Sequence, residues 1–113
     1  MVIKKSDRIL EVDEEGIAVF DYPVGEDLGI SYQELNGRTP SVGVGSNAVV
    51  DEWYFVIDGS GQVTIDGVIT SIEPGDVVNL PKGCKSFLVA KKLKIITITK
   101  PDWYESQYTE TDD

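Results

Sequence analysis

Glu52 stands near the start of "EWYFVID", an almost continuous apolar run. A carboxylate in such a place must find a partner or take up a proton. Burial raises a carboxyl pKa, so Glu52 is the candidate catalytic acid or base, or a buried hydrogen-bond acceptor. The chemistry open to it is narrow, because the chain has no histidine. A base working near neutral pH must then be a perturbed carboxylate, lysine or tyrosine. Side chains alternate along a strand, so an inward Glu52 brings Tyr54 and Val56 to the same face. Trp53, Phe55 and Ile57 then point outward and need cover, either from a second subunit or from the chain's own N-terminal strands. Downstream, "EPGDVVNLPKGCKSF" reads as turn, strand, turn, strand, and delivers Cys84, Lys85 and Ser86 into a new strand. Cys84 is the single cysteine and can form no internal disulfide.

The elements that must hold these residues are strands. "ILEV", "GIAVFDY", "GISYQEL", "EWYFVID", "QVTID", "VITSI", "DVVNL", "KSFLVA" and "LKIITITK" are short, rich in β-branched and aromatic residues, and punctuated by Gly, Pro and Asp. "EWYFVID" has the character of a central strand covered on both faces. Asp66-Gly67 predicts a two-residue hairpin, because both positions need positive φ. "DGSGQ" predicts a looser glycine-rich hairpin, and Pro74-Gly75 a type II turn. Gly83 repeats the turn signal in "PKGC". No segment shows a sustained helical period, although "YESQY" could form one turn. Nine or so strands at regular spacing predict an antiparallel sandwich or barrel. The final "TETDD" is polar and acidic and is expected to fray.

The chain has 113 residues, which suits one domain spanning 1–113. Twenty acids against ten bases give a net charge of −10, which makes nucleic acid and anionic membrane poor partners. No apolar run approaches a membrane span, and the N-terminus lacks the apolar stretch of a signal peptide. With the lone cysteine, this gives a cytoplasmic expectation. The charge is uneven: residues 11–27 hold seven acids and no base, whereas residues 82–94 hold five lysines. Those lysines either guard exposed strands against edge pairing, or form an anion site or a face that meets the acidic segment of a second subunit.

The order of turns from Glu52 onward resembles the cupin superfamily of jelly-roll β-barrels. Gly75, Pro81 and Gly83 match the second cupin motif, and Glu52 with Gly59 the end of the first. The likeness covers about residues 30–103, with residues 104–113 left as an acidic tail. It implies an all-β, antiparallel cupin barrel with little or no helix. Cupin metal sites use two histidines and the glutamate of the first motif, and the histidine of the second. Here the second-motif histidine position is Ser86 and the asparagine position Ala90, and the histidine pair falls on Ser46 and Ala48 or on Gly45 and Asn47. Glu52 alone remains of four ligands, a poor set for a transition metal, so no metal and no cofactor are expected. A Cys84 ligand stays open as an alternative. "NGRTPSVGVGSNAVVDEWYFVIDGSG" and "KPDWYESQ" further resemble a narrower group of histidine-free cupins.

The resemblance implies a metal-independent cupin that binds a small polar molecule, such as a sugar, sugar phosphate or carboxylate. Asn47, Glu52, Tyr54 and Ser86 are the expected cavity lining, though each of the polar ones could instead be a turn cap or ordinary packing. Arg38 is either a clamp for a carboxylate or phosphate or a turn residue after "NG". Trp103 and Tyr104 would pack outside the barrel or close over it. Two other readings stay open: a metal-free isomerase, epimerase or lyase with Glu52 as acid or base, and a homodimerising structural module with no ligand.

Overall fold

The computed structural model describes residues 1–112. These described residues form nine strands: β1 (Ile9–Glu14), β2 (Ile17–Tyr22), β3 (Gly29–Thr39), β4 (Val44–Asn47), β5 (Asp51–Ile65), β6 (Val68–Ile72), β7 (Val77–Leu80), β8 (Ser86–Lys100) and β9 (Tyr108–Thr111). Every pairing is antiparallel. One curled sheet runs β1-β2-β3-β8, where β8 also pairs with β5 and touches β4; β5 carries β6 and β7, and β4 carries β9. Among the described residues the only helical pieces are single 3-10 turns at Lys5–Asp7 and Glu105–Gln107, the second where "YESQY" predicts one. No helix among them is long and apolar enough to cross a membrane.

The turns follow their residues. Asp66 and Gly67 have φ of 47° and 83°, and Ile65 pairs with Val68 across them. Gly75 at φ 97° closes the turn in which Asp76 N–H donates to the Glu73 carbonyl at 3.1 Å. Gly83 at φ 88° does the same where Cys84 N–H reaches the Pro81 carbonyl.

The expected hairpin at "DGSGQ" does not exist. β5 runs unbroken through it and stays paired with β8, bulging on either side of Asp58. Gly59 sits at φ 82°, where a Cβ would overlap the Lys92 carbonyl. Its glycine supplies a bulge and a close approach rather than a turn. β8 likewise fuses "KSFLVA" and "LKIITITK", with Lys92 at φ 47°. β3 bulges between Leu35 and Gly37, so "NGR" is also strand rather than turn. Asn36 Oδ1 accepts the Lys92 N–H at 3.0 Å, which ties two of these bulges together. The three irregularities form a seam across β3, β8 and β5. There the burial parity of β8 flips, from Leu88 and Ala90 to Leu93, Ile95, Thr97 and Thr99. The tail does not fray either: β9 pairs with β4 from Val44–Thr111 to Asn47–Tyr108 and satisfies an otherwise bare strand edge. Asp113 lies outside the described residues.

Leu35, Val56, Val63, Leu88, Leu93 and Ile95 belong to the apolar core inside the curl. β5 is covered on its inner face alone: Tyr54 and Val56 are buried, whereas Phe55 and Ile57 are exposed. The N-terminal strands do not cover them, because β1 and β2 extend the sheet beyond β3, on the far side of β8.

Candidate functional site

A cavity of about 650 Å³ opens into the barrel beside this core. Its floor follows from strand register. Glu52 lies opposite Thr99, which faces Gly29; Tyr54 lies opposite Thr97, which faces Ser31, which faces Asp21. Period-2 alternation turns all of these inward, so polar side chains line adjacent rows of the inner face. Gln33 joins them and donates from Nε2 to Ser31 Oγ at 3.0 Å. Gly29 leaves room for the others: a Cβ there would overlap Thr99 Oγ1 and come within 2.7 Å of Asp102 Oδ1. Ser86 and Leu88 of β8 and Val63 of β5 close the wall from the other side of the seam.

Glu52 lines this cavity and is half-buried in its wall. Burial pushes its carboxyl pKa up, and the hydrogen bond from Asn47 Nδ2, long at 3.4 Å, only partly offsets this. Tyr54 is raised for the same reason, first by burial and then by the negative charge of Glu52. Asp21 is raised by burial and by its neighbours Asp102 and Glu11.

Asn47 is the hub of the rim. Its Oδ1 accepts Gln107 Nε2 at 2.8 Å and Trp103 Nε1 at 3.0 Å, and its carbonyl accepts Gly83 N–H at 2.7 Å. Gln107 is buried, and its Oε1 accepts the N–H groups of Val49 and Val50 at 3.2 Å each. One glutamine thus ties the end of the chain to the β4–β5 loop and orients Asn47 toward Glu52. Trp103 and Tyr104 are exposed at the mouth, with Trp103 tilted against Tyr108 at 5.7 Å.

The structure therefore brings Asn47, Glu52, Tyr54 and Ser86 to one cavity and leaves Arg38 out of its lining. The Arg38 guanidinium donates to the carbonyls of Pro40 at 2.7 Å and Gly43 at 2.8 Å, and stacks 4.0 Å over Phe87. It braces the loop before β4 and offers no clamp to a cavity ligand. Sequence reasoning missed Asp21, Thr97, Thr99 and Asp102 as lining residues. The alternating threonines in "IITITK" carried the signal, since every second residue of that strand faces inward.

A transition metal does not fit these residues. Asn47 Oδ1, its one ligating atom, already accepts two N–H groups. Burial, Asp66 and Glu52 all push the Cys84 thiol pKa up, away from the thiolate a metal needs. Among the described residues no three His, Cys, Asp or Glu side chains lie close enough to share an ion.

Several solved structures superpose on this one. Pac13 from Streptomyces, described as a nucleoside dehydratase and seen with uridine, superposes with a TM-score of 0.84 at 12% identity, over 99% of this chain and 90% of that one. KdgF from Halomonas sp. gives 0.77 at 19% identity, over 91% and 94% of the two chains. Ectoine synthase from P. lautus gives 0.72 at 16%, over 98% and 90%. At these identities the likeness is one of fold, and the fold is the cupin barrel. No curated protein sequence matches the chain. The family model described as "Ethanolamine utilisation protein EutQ" matches residues 47–106, which run from the Asn47 hub through the Glu52 strand to the Trp103 mouth. The chain therefore belongs to the EutQ family and has the cupin fold.

Proposed function

We propose that the barrel binds a small polar molecule without the help of a metal ion. One observation carries this reading. The hydroxyls of Tyr54, Thr97 and Thr99 are buried without a hydrogen-bond partner among the described residues, and all three residues line the cavity. A buried polar group left unpaired costs about 1–3 kcal/mol, so three in one wall favour a guest that pairs with them. The uridine seen in Pac13 supports a small-molecule role for such a barrel. The test is thermal denaturation against a panel of small polar metabolites, in buffer with chelator. A stabilising compound whose effect disappears in Thr97→Val/Thr99→Val is the expected result. A shift that needs added metal, or survives in that variant, sinks the reading.

A second reading, metal-free acid–base catalysis, is favoured by Glu52 itself. Burial raises its carboxyl above the ordinary glutamate value, and it lines the cavity. Once a substrate is known, Glu52→Gln should abolish turnover while keeping binding; unchanged turnover removes catalysis and leaves the binder.

A further inference from the structure

The charges around the cavity are all of one sign. Among the described residues Glu11, Asp21, Glu52, Asp102 and Glu105 line it, and no lysine or arginine does. Resting on the binding role proposed above, we propose that the guest is an organic cation, a protonated amine that also carries hydroxyl groups, held by Glu52, Asp21 and Asp102. This displaces the expected sugar phosphate or carboxylate, since an anion here would meet carboxylates with no counter-charge.

Three independent features narrow the class. The acids are spread around the cavity rather than gathered, and no three of them could share an inorganic ion. An extended ammonium compound can reach separate carboxylates where a point cation cannot. Thr97 and Thr99 lie on β8, between the strands of Glu52 and Asp21, and Tyr54 stands two residues along from Glu52 on β5; all three hydroxyls are unpaired, and each residue is 3–5% exposed. Ligand hydroxyls or a second N–H would pair with them. The mouth supplies aromatic rings, Trp103, Tyr104 and Tyr108, which suit an alkylammonium through cation–π contact. Asp21 fits as a partner too: burial and then repulsion from Asp102 and Glu11 raise its pKa, and a bound cation would relieve the repulsion.

The test is calorimetric titration of the full chain, with chelator, at neutral pH. Two matched series serve as probes: 2-amino-1,3-propanediol, glycerol and glycerate, then glucosamine, glucose and gluconate. The amine of at least one series should bind at least about tenfold more tightly than its neutral and anionic analogues, a difference of about 1.4 kcal/mol. The preference should shrink in Glu52→Gln and Asp21→Asn, both near-isosteric, and fall with added salt. Thr99→Val should weaken the amine and its neutral analogue alike, because it removes a hydroxyl and no charge. A neutral or anionic analogue that binds as well as its amine overturns the cation assignment and leaves the small-molecule reading standing. A series in which nothing binds, with the amide resonances of Thr97 and Thr99 unmoved by every compound, overturns both.

Discussion

At the scale of the residue, Glu52 links the site to stability. Its ordinary pKa of 4.5 is raised in the fold, mainly by burial. Between that value and the raised one, the folded state holds a proton that the unfolded chain has released. Stability therefore falls as pH rises through this window, and the loss is complete above it. Glu52→Gln removes the titration while keeping the shape and the contact with Asn47. The variant should unfold at a higher temperature than the parent at neutral pH, and the two should converge below the ordinary glutamate value. Parallel melting curves across the whole pH range would show that Glu52 is solvated and ionised like a surface acid. Glu52 was legible through the resemblance, because it stands at the glutamate position of the first cupin motif. Asp21 and Asp102 were not: Asp21 lies in the apolar run "GIAVFDY", where only register across β2, β3 and β8 brings it to the cavity floor, and Asp102 lies outside any strand.

At the scale of the element, the glycines of β5 decide whether the barrel closes. Gly59 has φ 82°, and a Cβ would overlap the Lys92 carbonyl; Gly25 has φ 119° and open space around it. Gly59→Ala should destabilise the protein by about 2 kcal/mol from backbone strain, plus the cost of moving β8. Gly25→Ala should show the strain alone. Urea unfolding of both variants separates the two costs, and equal losses would mean that β5 and β8 do not approach closely at the seam. The same glycine explains what the sequence could and could not disclose. The turns at Asp66-Gly67 and Pro74-Gly75 were legible because local chemistry alone sets them. Gly59 gives the same local signal, but a strand ladder on its other side turns it into a bulge. β4 has Val44 as its one β-branched residue and β9 falls in an acidic stretch, so neither reads as a strand by itself; each completes the other's hydrogen bonds.

At the scale of the whole molecule, the outer face of β5 poses the remaining problem. Phe55 is 46% exposed and lies beside Val77, itself 63% exposed; Trp53 lies beside Ile98, 39% exposed. A contiguous apolar face of this kind is expensive to leave in water. The chain's own N-terminal strands lie at the far edge of the sheet, so the cover is expected to be a second copy. Charge supports the same partner. Lys91, Lys92 and Lys94 edge the β8 segment beside this face, and each copy offers five acids in residues 11–27 besides Glu11 and Asp21, which line its own cavity. A homodimer at micromolar concentration is the expected state by light scattering. Phe55→Asp puts a charge at the centre of the face and leaves the inner wall untouched, because alternation keeps Tyr54 and Val56 on the opposite side. It should yield a folded monomer that still carries the cavity, with any amine affinity retained. A parent chain that is monomeric in low salt would remove the dimer. A Phe55→Asp monomer that loses the ligand would show that the mouth is built partly by the second subunit, and that Trp103 and Tyr104 close the site only when two barrels meet.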